Sequence, residues 1–385
     1  MNPIHQLVAL VCCLLSITSI SNVQAIIILV HGTFAVSAEW SRPGGEFYEN
    51  FDYHAKRLNQ KLIPFAWSGK LSDAARVQGG RALAKVVLSY PPHEKIIIIG
   101  HSHGGNVINL ASQILSDPFA RLLDLANPAP VDQLLQEAYR VLYGRTQAAT
   151  TRTIPSLDNL RTNEAVLEFL EAGKEIHEML KMRVKTKEMS QASSSSHENR
   201  QPNLDAEDNQ ENTRSKDIVG NQEVPYLIDV AYCLATPVDT TAYAPNMDVI
   251  GKLYNFYSRG DRIQQLFGTY KRLYSGLTRV VNFRITMEQS GVDHYNPSHS
   301  EMHNPIVGTW LLSIPDELHV AGIGNFHQYT DGVNGKIHFD AHGMPNFKPD
   351  KKSSNEREEK ENNRANRLLA PYFPAGSSQV SSLVA

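Results

Sequence analysis

Ser102 lies in Gly100-His101-Ser102-His103-Gly104, directly after four isoleucines (Ile96–Ile99) and directly before a helical pattern. A serine on a sharp strand-to-helix turn has its hydroxyl lifted clear of the backbone. Small residues two before and two after it keep the neighbouring strand and helix from clashing. The helix start beside the hydroxyl offers free N–H groups and the positive end of the helix dipole. That context assigns Ser102 as a nucleophile rather than as the N-cap of a glycine-rich turn. A serine hydroxyl is a weak nucleophile and needs a base that an acid holds in orientation. His101 and His103 adjoin the serine, but so tight a turn points their side chains elsewhere, and the base is sought further along the chain.

The elements that must position such a site alternate along the chain. The apolar, β-branched runs "IIILVHG" (26–32), "LIPFAW" (62–67), "KIIIIG" (95–100), "YLIDVAYCLA" (226–235), "KLYNFYS" (252–258) and "RVVNFRITM" (279–287) read as strands buried on both faces. Helical patterns at 73–90 and 104–115 lie between them, so the fold class is α/β, a mostly parallel doubly wound sheet. Residues 26–118 and 223–320 supply the two halves of this core. Between them, 119–222 reads as a helical insertion whose 186–222 portion is too polar to offset the entropy of ordering and is expected to be a disordered tether. The end of the chain, 321–385, reads as a small hairpin turning at Asn334-Gly335 followed by a polar tail.

Composition narrows the class. With 385 residues, 41% hydrophobic, and a net charge of −3, the chain is globular, and without a basic stripe it is not a nucleic-acid binder. Residues 1–25 are apolar from Leu7 to Ile20 and end in Val23 and Ala25 at the −3 and −1 positions of a cleavage site, which reads as a secretory signal peptide and an exported protein. Cys12 and Cys13 fall in that leader, leaving Cys233 as a small buried hydrophobe with no disulfide partner. No His-Glu-x-x-His or Cys-x-x-Cys spacing occurs, so the histidines imply no metal and the chemistry calls for no cofactor.

With its elbow and context in place, the sequence resembles the α/β-hydrolase family, in its bacterial lipase and esterase branch, over residues 26–118 and about 223–313. The resemblance implies an oxyanion hole from the backbone N–H groups of Thr33, in "LVHGTF", and His103, with His31 organising the loop. "PFAWSG" (64–69) before a helix carrying arginine fits the same branch, with Ser68 a turn residue. The family order of serine, acid and histidine points to Asp261 in "RGDRIQ", with Asp239 as the alternative acid. It points to His299 in "GVDHYNPSHSEMHNP" as the base, with His303 and His294 as alternatives. The implied function is a serine hydrolase of carboxylic esters, small-molecule or lipid, with the insertion either a cap that encloses an acyl chain or opens at a lipid surface, or a surface decoration or oligomer contact. A thioesterase, an acyltransferase or a non-catalytic binding protein would use the same frame. The sequence assigns no oligomeric state.

Overall fold

The computed structural model describes residues 25–125, 129–143, 154–195, 226–239, 242–263, 272–289, 292–312 and 333–349. Each strand-like run forms a strand: β1 (Ala25–Val30), β2 (Lys61–Phe65), β3 (Lys95–His101), β4 (Ile228–Leu234), β5 (Ile250–Tyr257) and β6 (Val280–Gln289). With β7 (Val292–Tyr295), β8 (Val333–Phe339) and β9 (Pro345–Pro349) they build one sheet in the order β2-β1-β3-β4-β5-β6-β8-β9, β7 pairing with β6. Its neighbours are parallel except β7 on β6 and β9 on β8. The helices are α1 (Glu46–Arg57), α2 (Asp73–Ser89), α3 (His103–Leu115), α4 (Ala120–Leu123), α5 (Val131–Tyr143), α6 (Leu157–Thr162), α7 (Glu164–Ser195) and α8 (Pro305–Leu311).

The isoleucine runs are continuous because both faces of the sheet are covered. Ile26, Ile28, Ile96 and Ile98 point into a core shared with α2 and α3, while Ile27, Leu29, Ile97 and Ile99 point into one shared with α1 and α8. This is the period of two expected of a strand, with an apolar layer waiting on each side. The helix starts are locally encoded. Ser72 caps α2 through the Ala75 N–H, and Asn304 caps α8 through the Ile306 N–H, followed by Pro305 in the first turn.

Three expectations need correction. The hairpin does not turn at Asn334-Gly335, because both residues pair within β8 against Asn282 and Phe283 of β6. Extending a central sheet outweighs the local turn preference of Asn-Gly. The chain instead reverses at Asp340–Gly343, where Asp340 Oδ1 accepts from the N–H groups of His342 and Met344, and Gly343 adopts φ +76. The hairpin is therefore the margin of the main sheet.

The tether expected from 186 is helical as far as Ser195, since "TKEMSQASSS" carries good helix formers that extend α7 by local hydrogen bonds; residues 196–222 lie outside the described residues. Nor do the described helices of the insertion sit as a cap over Ser102. Val166, Phe169, Leu170 and Ile176 of α7 are buried in the same core as α2 and α3. Arg81 bridges Glu168 and Glu175 alongside, so these helices form a lateral layer. An apolar helix face next to a half-covered core is stabilised more by joining it than by standing over a polar cleft. The leader residues 1–24 and the tail beyond 349 lie outside the described residues.

Candidate active site

Strand order places the site. β1 passes outward to β2 while β3 passes the other way to β4, so the loops after β1 and β3 diverge at a topological switch point, where open α/β sheets bind ligands. Those loops carry Thr33 and Ser102. Ser102 has φ 54 and ψ −132, a strained backbone for a residue with a side chain, and it joins β3 directly to α3. Its N–H donates to Leu234 O at the end of β4 (2.8 Å), which anchors the bend. The glycines around it are required by contact: a Cβ on Gly104 would lie 2.3 Å from Val30 O, and one on Gly100 would lie 2.7 Å from the Gly105 nitrogen. The helix thus starts pressed against β1 and β3, with Ser102 at its tip.

Asp261 and His299 are brought together. His299 Nδ1 donates to Asp261 Oδ2 at 2.8 Å, with the carboxylate fully buried and the imidazole side chain 13% exposed. Asp261 follows β5 in a turn stapled by Gly260 N–H to Ser258 Oγ (3.0 Å) and by Ile263 N–H to Asp261 Oδ1 (3.0 Å). A Cβ on Gly260 would fall 2.1 Å from Asn296 O, so this glycine lets the acid-bearing turn touch the loop that carries His299. His299 opens a single 3-10 turn, Ser300–His303, seated by buried Met302. From the other side, buried Arg272 donates from Nη2 to the carbonyls of Asp261 (3.1 Å) and Arg259 (3.4 Å). Among the described residues no hydrogen bond joins the Ser102 hydroxyl to the His299 ring. The link is made through the neighbour of Ser102, as His101 Nε2 lies 2.9 Å from His299 O.

The loop after β1 lies against Ser102, since a Cβ on Gly32 would be 2.8 Å from Ser102 Cβ. His31 organises this loop as expected. Trp67 N–H donates to its Nε2 (3.2 Å), so Nδ1 holds the proton and donates to Gly32 O (2.8 Å), while the indole stacks on the imidazole. Burial holds His31 below the ordinary imidazole value. The Thr33 hydroxyl is buried without a hydrogen-bond partner among the described residues. Phe34 is 71% exposed on a backbone with φ 59, tied by its N–H to Gly69 O at 2.9 Å. Exposed Ser68 accepts from Lys70 N–H, as a turn residue does.

The alternatives are placed elsewhere. His303 stacks on Trp40 at 5.4 Å and is held below its ordinary value chiefly by burial. Exposed His294 sits against His338. Asp239 caps the following turn through the Ala242 N–H. The His103 ring accepts from Asn106 Nδ2 at 3.0 Å and is kept neutral by burial, then by Arg76 and His299, which leaves its backbone N–H as its contribution at the elbow. Cys233 is buried on β4, where burial pushes its thiol up to about 11. Among the described residues no group of three or more His, Cys, Asp or Glu side chains is arranged to hold a metal.

Sequence reasoning missed Arg272, Trp40 and the side chain of His101. Arg272 and Trp40 act through contacts with distant segments and have no local signature; His101 was visible only as the residue beside the serine. Compared with models of known protein families and with curated protein sequences, the chain matches none.

Proposed function

We propose that the chain is a serine hydrolase of carboxylic esters, organised as the α/β-hydrolase resemblance implies, with Ser102, His299 and Asp261 as its triad. The observation that carries this reading is the Asp261–His299 hydrogen bond, delivered beside a strained serine elbow by segments remote in sequence. His299 Nδ1–H on Asp261 leaves Nε2 free as the proton acceptor. Ser102 Oγ attacks the acyl carbonyl while Nε2 takes its proton, and Asp261 stabilises the resulting imidazolium. The tetrahedral oxyanion lies against the N–H groups of Thr33 and His103. Collapse releases the alcohol, which takes the proton from His299, and a water activated by the same imidazole frees the acid from Ser102. The Ser102–His299 hydrogen bond is one that tightens only with substrate in place, as catalytic hydrogen bonds commonly do.

Phe34 favours esters with an apolar acyl group. A bulky aromatic held exposed in the left-handed region, two residues after the Gly32 that abuts Ser102 and near exposed Val36 in the sequence, offers apolar surface for an acyl chain. The apolar leader supports export of the enzyme. β1 begins at Ala25, so cleavage after that residue would make Ile26 the new amino terminus, which sequencing of the mature protein reads directly.

The test is labelling with a serine-directed phosphonate read by intact mass, together with hydrolysis of p-nitrophenyl esters from acetate to palmitate. Wild type is expected to take one adduct and to hydrolyse the series, and Ser102→Ala to do neither at an unchanged Tm. An unlabelled wild type, or equal labelling of Ser102→Ala, overturns the reading and favours a binding protein on the same frame.

A further inference from the structure

His101 is the last residue of β3 and the one before Ser102, and its side chain is buried. Its Nε2 lies 2.9 Å from the carbonyl oxygen of His299, a residue 198 positions away. A carbonyl only accepts, so Nε2 carries the proton and donates it. The ring is confined on three sides. It lies 4.8 Å from the His299 ring, 4.9 Å edge-on to His303 and 5.6 Å edge-on to Trp40. Trp40 is itself held between the His303 ring, on which it stacks, and Phe47. His101 therefore cannot swing away without disturbing the packing around it, and the base loop hangs from it.

We propose that His101 is a positioning residue for His299: by donating Nε2–H to the base's own carbonyl, it sets the separation between the imidazole and the Ser102 hydroxyl. The proposal rests on the triad reading above. Asp261 fixes the rotation of the His299 ring but not how far its loop stands from the elbow, because the acid follows β5 and the base follows β7, and β4 stands between β5 and β3. His101 is the strut across that gap. Its own state suits the role, since burial first, then the facing His299 and His303, holds it well below the ordinary imidazole value. A neutral strut adds no repulsion when His299 becomes imidazolium. Placement of this kind matters steeply, because an error of about 1 Å between reacting groups costs about a hundredfold in rate.

The test uses the full chain and two variants. His101→Phe keeps a ring in the packing but removes the donor, and His101→Gln replaces the donor at similar reach. His101→Phe is expected to lower kcat on p-nitrophenyl esters about tenfold with KM within about twofold, and to slow phosphonate labelling of Ser102 by the same factor. His101→Gln is expected to recover most of that loss, with Tm near wild type in both. Wild-type kcat in His101→Phe, or equal losses in both folded variants, overturns the proposal. Should either variant fail to fold, imidazole nitrogen NMR of the wild type decides: His101 protonated at Nε2 supports it, and the Nδ1–H form overturns it. A wild type that phosphonate does not label removes the triad reading itself, whereas a labelled wild type with an indifferent His101→Phe removes the strut alone.

Discussion

Ser102 and its partners are held by opposite means. Ser102 is fixed mostly through the backbone of its own turn: Gly100 and Gly104 let α3 start against β1 and β3, and one backbone hydrogen bond to Leu234 secures the bend. Asp261 and His299 are brought together by contacts between segments, through the side chains of Arg272 and His101 and the close approach of Gly260 to the Asn296 carbonyl. A locally built half tolerates change elsewhere in the chain and fails at its own glycines. A half assembled from distant pieces fails piece by piece, each lost contact lowering the rate by its own factor.

The sharpest way to break this comparison is Asp261→Asn. It preserves volume and one acceptor for the Ile263 N–H, but lets His299 adopt the wrong tautomer, so kcat should fall about 10⁴-fold. A loss below about tenfold would move the acid role elsewhere, to Asp239 first. Arg272→Met comes next. It removes the hydrogen bonds to the carbonyls of Arg259 and Asp261 while keeping an apolar stem in the buried site. A hydrogen bond from a charged group contributes about 1.5–3 kcal/mol, so kcat should fall between about tenfold and a hundredfold with a lower Tm. If Arg272→Met loses stability but keeps full kcat, the acid turn is self-supporting and the contrast between the two halves weakens.

The same contrast explains what was legible in the sequence. The strands are plain because β-branched runs such as Ile96–Ile99 admit few alternatives, and the elbow because its glycines, serine and helix start are contiguous. Asp261 and His299 could be named only through the order of residues in a family the chain resembles, with His303 and His294 left open. What brings one histidine forward is contact between loops; in the sequence His299 is set apart from His303 only by the Ser300-Glu301-Met302 that follows it and its short distance from the helix near Pro305. The Asn334-Gly335 turn misled because local turn chemistry carries no information about the partner strand that β8 finds in β6. The layer formed by α7 was legible as an amphipathic helix, but not which surface its apolar face would cover.

A smaller effect is expected on the nucleophile side from Thr33. Its buried hydroxyl has no partner among the described residues, so Thr33→Val should stabilise the fold by about 1 kcal/mol, the sign expected when an unsatisfied polar group is removed. If that hydroxyl is reserved for the reacting ester, the same variant should lose about fivefold in kcat, and Thr33→Ser should restore it. A Tm rise without any loss of rate would assign the hydroxyl to neither half of the site.

The last expected effect concerns the seam between the halves. His101 and His303 meet there, and with His103 and His31 all are held below the ordinary value of 6.5 chiefly by burial. In the unfolded chain these groups take up protons as pH falls through 6.5, while the folded chain resists until lower pH. The unfolded state then binds more protons, so stability falls as pH drops below that value and gains nothing from these groups above it. Thermal melts should therefore show a lower Tm at pH 5.5 than at pH 7.5. His303→Phe, which can keep the stack on Trp40 without a titrating group, should shrink that difference by at most about 1.4 kcal/mol, the contribution of one group over one pH unit. A melt difference unchanged in His303→Phe would locate the acid sensitivity away from the seam and leave the two halves joined by packing rather than by neutral histidines.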